Sequence, residues 1–559
     1  MTEPKLILDY VYDHEANLAD QVFLTQPIGK GQVKDYTWAQ TLDQSRRMAA
    51  HLRSLGFEPG SRIALLSKNC AHFFMTELAI WMAGYTTVAI FPTETAETVR
   101  YVLEHSEAKL LFVGKLDTWP QQISGVPQGV ACIALPLSPQ TAFETWDAIV
   151  ARTQPLGARP QRNTHDMAML IYTSGSTGQP KGAMISFGAI TRAGEGFSSY
   201  TRERLGRETE IRILSYLPLA HSYERSCVEA SCLVAGEAHV YFAETLDTFL
   251  QDLQRARPTI FISVPRLWLK FQQGVFAKMP PKKLDRLLSI PILGRIVGKK
   301  VLKGLGLDQV RNAASGSAPI PADLIAWYRR LGLKLYEGYG MTEDNSFSHG
   351  SNENFNEPGY VGVAMPGVQV RISAQGEILI KSPSQFDGYY KQPELTAESF
   401  TEDGFFHTGD LGELRADGLL KITGRAKELF KTAKGKYVAP APIENLLNAH
   451  PLIELSLVSG VGQVSAYGMV VLAETIRPQL GNPQVRSDVE SQLTQLLKDV
   501  NRQLSEYEHL RMLVVVSEPW SIEAGTLTPT MKVRRSRIEA AVAHHVEGWY
   551  AGSNGIHWN

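Results

Sequence analysis

The chain has 559 residues, 44% of them hydrophobic and 20% charged, with a formal net charge of −1. That length and apolar content exclude a disordered polypeptide and call for two to four structural units. The near-neutral balance, with no dominating basic tail or face, gives no electrostatic case for nucleic acid. The N-terminal stretch "MTEPKLILDYVYDHEANLAD" carries acids and lacks a basic segment followed by an apolar one, and no apolar run reaches membrane-spanning length, so a soluble, cytoplasmic protein is expected. Cys70, Cys132, Cys227 and Cys232 form no C-x-x-C pair, which suggests neither a disulfide framework nor a zinc site and fits a reducing compartment.

Residues 36–160 alternate helical patterns such as "TWAQTLDQSRRMAAHLRSLG" with short apolar runs such as "RIALLS" and "KLLFVG", which predicts α/β layering. The apolar run 167–172 then opens into the loop of "LIYTSGSTGQPKGAMIS" (170–186), whose glycines, hydroxyls and Lys181 are the composition of a phosphate cradle. It is not a Walker A loop, because no hydroxyl residue follows Lys181. Taken alone, it also reads as a solvent-exposed Gly/Ser turn. "PTIFISV" (258–264) and "KLYEGYG" (334–340) predict strands ending in turns, where open α/β sheets place ligands.

Between 278 and 303 stand eight Lys or Arg and one Asp. After Pro291, the residues Leu293, Ile296, Val297 and Val301 read as one helical face with Arg295, Lys299 and Lys303 elsewhere. That allows interfacial membrane binding through 286–304, although Gly294 and Gly298 weaken such a helix and favour a cover helix with a solvated face. From about Gly359 the pattern turns to short strands, with a hairpin predicted around Ala374 to Gly376 in "GVQVRISAQGEILIKS". Beyond a boundary near Gly424 come a helix, strands at "AYGMVVLAE" and "LRMLVVVSE", and an amphipathic helix from about Gln484 to Leu504. The expected architecture is α/β plus α+β: a large N-terminal domain (1–424) of layered α/β subdomains with a β-rich subdomain, and a small mobile C-terminal α+β domain (425–559).

Five further stretches are dense in polar and small residues: "LPLAHSYER" (217–225), "YEGYGMTE" (336–343), "FHTGDLG" (406–412), "ITGRAKELFKTAKGKYVAP" (422–440) and "LTPTMKVRR" (527–535). Together with the loop, in this order, they resemble the motifs of the adenylate-forming superfamily, and most closely those of the AMP-forming long-chain fatty acyl-CoA synthetases. The resemblance implies two half-reactions in one pocket. A fatty acid carboxylate attacks the α-phosphate of ATP, giving acyl-adenylate and pyrophosphate, and the thiol of CoA then displaces AMP. The first step gathers negative charge, which calls for donors and cations placed before that charge develops.

By this resemblance, Thr173, Ser174, Gly175, Ser176, Thr177 and Lys181 wrap the β- and γ-phosphates. Thr342 and Glu343 hold Mg²⁺ with the phosphates, with Thr173 also in the metal set; oxygen ligands suit that hard cation. Tyr339 stacks on adenine within the nucleotide-binding segment Glu337, Gly338, Gly340 and Met341. Gly316, Ser317 and Ala318 line the nucleotide and acyl pocket. Asp410 accepts from the ribose hydroxyls, with Arg425 beside it on the ribose or phosphate. His221 and Tyr223 border the acyl tunnel. Lys532 is the catalytic lysine, Lys427 the hinge, and Lys434 and Gly435 the pair that meets CoA.

Ser176 stands where Thr is common in this family, a neutral exchange of hydroxyls. Phe187 and Gly188 follow Ser186 where many members have a histidine, so no histidine role there is implied. Three alternatives stay open at this point: a ligase for another acyl or aryl acid, a fatty acyl-AMP ligase serving a carrier protein, and a catalytically silent nucleotide- or lipid-binding protein. Retention of Lys181, Glu343, Asp410 and Lys532 argues against the last.

Overall fold

Two large sheets with a helix clamped between them carry the first part of the chain, in a computed structural model that describes residues 4–174, 179–206, 208–528, 531–552 and 555–559. The eight-stranded sheet runs Gly388–Tyr389, Pro180–Ser186, Met167–Ser174, Thr86–Ile90, Arg62–Leu66, Leu110–Val113, Ala131–Ala134 and Glu144–Thr145 from edge to edge. Its central strands are parallel and buried on both faces, which is why they read as unbroken apolar runs. Every residue of the helix Ala71–Ala83 is buried, as a helix without a polar face must be. The helix Trp38–Ser54 starts where the sequence sets it, with the Thr37 side chain accepting from the Gln40 backbone and Gln40 reaching back. Such a capping box contributes about 1 kcal/mol.

The nine-stranded sheet places Ile211–Ser215, Ile260–Ser263, Asn312–Ser315 and Leu335–Tyr339 near its middle, all parallel, so the strand ends before Gly316 and Gly340 open on the same edge. A third sheet is antiparallel: Gln369–Ile372, Glu377–Lys381, Phe406–Leu414 and Leu420–Arg425. The expected hairpin is there, with Gly376 at φ +83° in its turn.

After Arg425 a single 3₁₀ turn, Ala426–Glu428, leads into a separate core. There the strands Ile453–Ser459, Ala466–Leu472, Leu510–Val515 and Gly555–Trp558 form one sheet. Alternate residues face opposite sides: Val458 and Val470 pack under Leu447 and Leu493, whereas Leu457 and Met469 pack under Ile538 and Trp549. The architecture is the layered α/β, β-rich and α+β arrangement that the pattern predicts.

Two expectations need correction. The glycine loop joins two antiparallel strands, so Lys181 lies within a strand, directly across from Thr173. In the helix Pro291–Gly304, the four apolar residues do not share one buried face. Val297 and Val301 pack inward, but Leu293 and Ile296 are exposed. The inward stripe is Gly294, Gly298 and Leu302. A Cβ on Gly294 would lie 2.5 Å from the Leu288 carbonyl oxygen, and one on Gly298 would lie 2.6 Å from that of Leu331. These glycines allow backbones to touch and so decide which face turns in.

Candidate functional site

Several of the candidate residues are linked by a chain of contacts. Lys181 lies over the ring of Tyr389, its Nζ 5.4 Å from the centroid. The Tyr389 hydroxyl donates to Oε1 of Glu343 at 2.7 Å. The phosphate-loop cation and the acid of "MTE" are therefore joined through a residue that no motif marked. Tyr389 reaches them because its edge strand pairs with Ala183 and Met184. Gly175, Ser176 and Thr177 lie outside the described residues; of the loop, Thr173 is half-buried at the end of its strand.

Next to Glu343 the backbone is bent tightly. Asn345 and Ser346 both have positive φ, +54° and +58°, and a Cβ on Gly340 would lie 2.6 Å from the Ser346 backbone. Oδ1 of Asp344 accepts from the Met341 N–H at 2.9 Å, and burial pushes the Asp344 carboxyl up to about 8. Buried Thr342 is within 3.3 Å of the Ser222 hydroxyl, which also meets Ser346 at 2.9 Å. The "LPLAHSYER" and "YEGYGMTE" segments thus touch.

His221 and Tyr223 sit on the first of those segments. The Tyr223 N–H donates to Nδ1 of His221 at 3.1 Å, which leaves the proton of the neutral ring on Nε2. Burial first, and then the charge of Lys532, push His221 down to about 3, so it stays neutral at physiological pH. A Cβ on Gly316 would lie 3.1 Å from the Tyr223 ring, so glycine lets the ring rest against the chain. The next residue, Ser317, has φ +68°.

Under this segment lies a buried charge cluster. Arg225 pairs with Glu77 and, at 3.3 Å, with Glu229, while its Nε donates to the Leu219 carbonyl at 2.8 Å. All three side chains are essentially inaccessible. Burial, then the neighbouring Glu77, drive Glu229 well above the carboxylate range, so one acid balances Arg225 and the other keeps its proton. Arg225 starts a π-helical turn, Arg225–Ala230, and through Leu219 it fixes the loop that holds His221.

At the end of the strand Leu335–Tyr339, Tyr339 donates its hydroxyl to Oδ2 of Asp410 at 2.6 Å, and Arg425 Nε donates to Oδ1 at 2.7 Å. Glu337 is buried two residues before Tyr339, and burial pushes it up to about 8 against donation from the Gly359 and Ile320 backbones. Gly338 pairs with Gly350 at the sheet edge.

Lys532 comes from the C-terminal domain on a tight turn. Its N–H donates to the Thr528 hydroxyl at 3.0 Å, its carbonyl accepts from the Thr528 N–H at 2.8 Å, and Met531 has φ +63°. The side chain keeps solvent-accessible surface, yet enclosure by protein is the first cause that lowers its pKa. Arg425 lowers it further, opposed by Asp410, Glu343 and Glu428.

Lys427 is exposed in the 3₁₀ turn that follows Arg425. Lys434 and Gly435 are not brought into the cleft's bonding network among the described residues. They form an exposed turn, Gly435 at φ +79°, tied within the C-terminal domain by the Ala433 N–H, which donates to the Gln463 carbonyl at 2.8 Å.

Comparison with known proteins gives the family of the chain. Residues 13–390 match the family described as AMP-binding enzyme, and residues 428–554 match the AMP-binding enzyme C-terminal domain. The chain is 32% identical to a long-chain-fatty-acid–CoA ligase, FadD15, of Mycobacterium bovis, over 97% of this chain and 96% of the relative. It is 27% identical to human long-chain-fatty-acid–CoA ligase 1, over 92% of this chain and 83% of that one. Among solved structures, the A domain of a carboxylic acid reductase from Segniliparus rugosus, in complex with AMP and a co-purified carboxylic acid, superposes with a TM-score of 0.81. That match has 21% identity and covers 98% of this chain and 94% of the other, a likeness of fold.

Proposed function

This chain belongs to the AMP-binding enzyme family, and we infer that it is an AMP-forming long-chain fatty acid–CoA ligase. The observation that carries the reading is full-length similarity to long-chain-fatty-acid–CoA ligases in a chain whose Glu343, Asp410, Arg425 and His221 all lie within electrostatic reach of Lys532.

In the first half-reaction a carboxylate oxygen bonds to the α-phosphorus of ATP, and the bond to the bridging oxygen breaks, releasing pyrophosphate. The Lys532 ammonium neutralises charge shared by the carboxylate and the α-phosphate, and Arg425 and Lys181 add positive charge on either side. Asp410 holds the ribose and Tyr339 covers adenine, while Thr173 and Lys181 meet the β- and γ-phosphates. In the second half-reaction the CoA sulfur bonds to the acyl carbon, AMP leaves with the bonding pair, and the thiol proton passes to solvent. His221, neutral with its proton on Nε2, offers a donor to an acyl oxygen; Tyr223 and the Gly316 to Ala318 segment supply the wall.

Mg²⁺ fits the donor set. Glu343 is one carboxylate with Oε1 already engaged by Tyr389, and Thr342 and Thr173 add only hydroxyls. So sparse a set of oxygens suits a cation that takes most of its ligands from phosphates and water. When bound, Mg²⁺ would offset phosphate charge.

We read 1–424 as the nucleotide and acyl domain and 425–559 as a unit that pivots at Lys427, bringing Lys434 and Gly435 to CoA once Lys532 has withdrawn. ATP and CoA are intracellular reagents, which supports a cytoplasmic placement, with peripheral contact on the inner membrane face through 286–304. The test is palmitate-dependent ATP–pyrophosphate exchange together with thioester formation: both are expected, and exchange without thioester would point to a carrier protein as acceptor.

A further inference from the structure

The helices Pro281–Leu288 and Pro291–Gly304 pack on one another, and their exposed residues are apolar at the start of the second helix and cationic along both. Ile292 is 78% exposed and Ile296 59%, flanked by Ile290 and Leu293 at 46% and 39%. Ile292, Ile296, Lys299 and Lys303 follow one another at intervals of four, three and four residues, so they share one face. That face lies opposite the stripe Gly294, Gly298 and Leu302, which seats the helix against Leu288 and Leu331. The isoleucines are thus held outward by the way the helix docks.

The cations are unspent as well. Lys299, Lys300 and Lys303 on this helix and Lys282, Lys283 and Arg286 on its neighbour are exposed, and none is in an ion pair among the described residues. The one acid of the segment, Asp285, is taken by Arg330 at 2.7 Å. A second copy docked face to face would bring these cations together at a cost. Negative headgroups beside an apolar interior match both features at once.

We propose that this helical pair is a docking tip for anionic lipid bilayers, with Ile290, Ile292, Leu293 and Ile296 entering below the headgroups and the six cations lying at headgroup level. It deepens the fatty-acid reading, on which only its purpose rests: a ligase attached there meets long-chain acids where they partition.

Co-sedimentation of the full chain with vesicles tests the tip without any turnover. Wild type is expected to bind vesicles of phosphatidylglycerol and phosphatidylcholine, more weakly as salt rises, and to bind phosphatidylcholine alone at least about tenfold more weakly. Ile292→Ser with Ile296→Ser should lower partitioning at least about tenfold. Lys299→Glu, Lys300→Glu and Lys303→Glu together should lower it by about a hundredfold. Both variants should retain ligation of an acid supplied below its micellar concentration, which shows that they fold. Equal binding to neutral and anionic vesicles, or unchanged binding by either folded variant, would overturn the proposal. So would a wild-type dimer in sedimentation that the isoleucine variant dissolves, since the patch would then be a contact between copies. Loss of ligation in wild type with vesicle binding intact would count against the enzymatic reading alone.

Discussion

Tyr339 donates a hydrogen bond from its hydroxyl to Asp410 at 2.6 Å, tying the end of a central strand of the nine-stranded sheet to the antiparallel sheet that carries Asp410. Arg425 occupies the other carboxylate oxygen at 2.7 Å. A carboxylate has about four lone-pair positions, so two remain for ribose hydroxyls. Tyr339→Phe removes a bond to a charged acceptor, worth about 1.5–3 kcal/mol. The KM for ATP should rise roughly tenfold or more, while the KM for the fatty acid stays put. Steady-state kinetics with each substrate varied will separate the two, and an equal rise in both would detach Tyr339 from the nucleotide.

In the proposed mechanism Lys532 stabilises charge that develops only during adenylation. Lys532→Ala should slow that step by about 10²-fold or more, the scale for losing one preorganised donor, and thioester formation from supplied acyl-adenylate should survive. The lowered pKa of Lys532 adds a pH signature. The ammonium is present below that pKa and lost above it, so adenylation should fall on the alkaline side. Lys532→Arg should move this limb upward, because guanidinium stays charged. His221, held at about 3, supplies no acid limb at moderate pH.

Glu454 joins the C-terminal domain to the rest of the chain, and on the proposed rotation it favours this pose. It pairs with Arg266 of the helix Pro265–Lys278 on one side and with Arg477 of its own domain at 3.0 Å on the other. Glu454→Gln removes the charge between two arginines and should weaken the pose by on the order of 1 kcal/mol, about fivefold in population. Pyrophosphate exchange should decline, and thioester synthesis from supplied adenylate should hold or rise. A parallel decline of both would mean that Glu454 serves folding and not pose.

Glu224 is fully buried, with Oε1 bonded to Ser215 at 2.7 Å and Oε2 without a partner among the described residues, and burial pushes its carboxyl up to about 8. In the unfolded chain it ionises near the ordinary carboxylate value. Between about pH 4 and 8 the folded state therefore holds one more proton than the unfolded state, and stability falls as pH rises, by about 1.4 kcal/mol per pH unit. Glu224→Gln keeps an acceptor and carries no charge. Denaturant melts across this range should show a slope one proton shallower for the variant, and an unchanged slope would assign the proton elsewhere.

Much of this site was legible in the sequence because each half of it is a short local motif. Asp410 in "HTGD", Tyr339 in "YEGYGMTE" and Lys532 in "TPTMKVRR" are named by their neighbours, and the chain turns sharply where those motifs have small residues. What stayed hidden is set by topology. Tyr389 bridges Lys181 and Glu343 only because its two-residue strand pairs with Ala183, more than two hundred positions earlier. Arg266 and Glu454 are 188 residues apart and meet only once both domains have folded. Gly294 and Gly298 misled in another way: helix propensity counts them as weak points, whereas packing uses their missing side chains as the seat of the helix.

The most direct measurement is a panel of saturated acids from acetate to palmitate, with benzoate alongside, incubated with ATP and CoA while AMP release and thioester mass are followed together. If Tyr223 and the Gly316 segment wall an alkyl channel, kcat/KM should climb with chain length, each buried methylene contributing roughly 0.8 kcal/mol. Palmitate should exceed acetate and benzoate by orders of magnitude, with one acyl-CoA formed per AMP. A preference for short or aromatic acids, or AMP release with no thioester, would contradict the account.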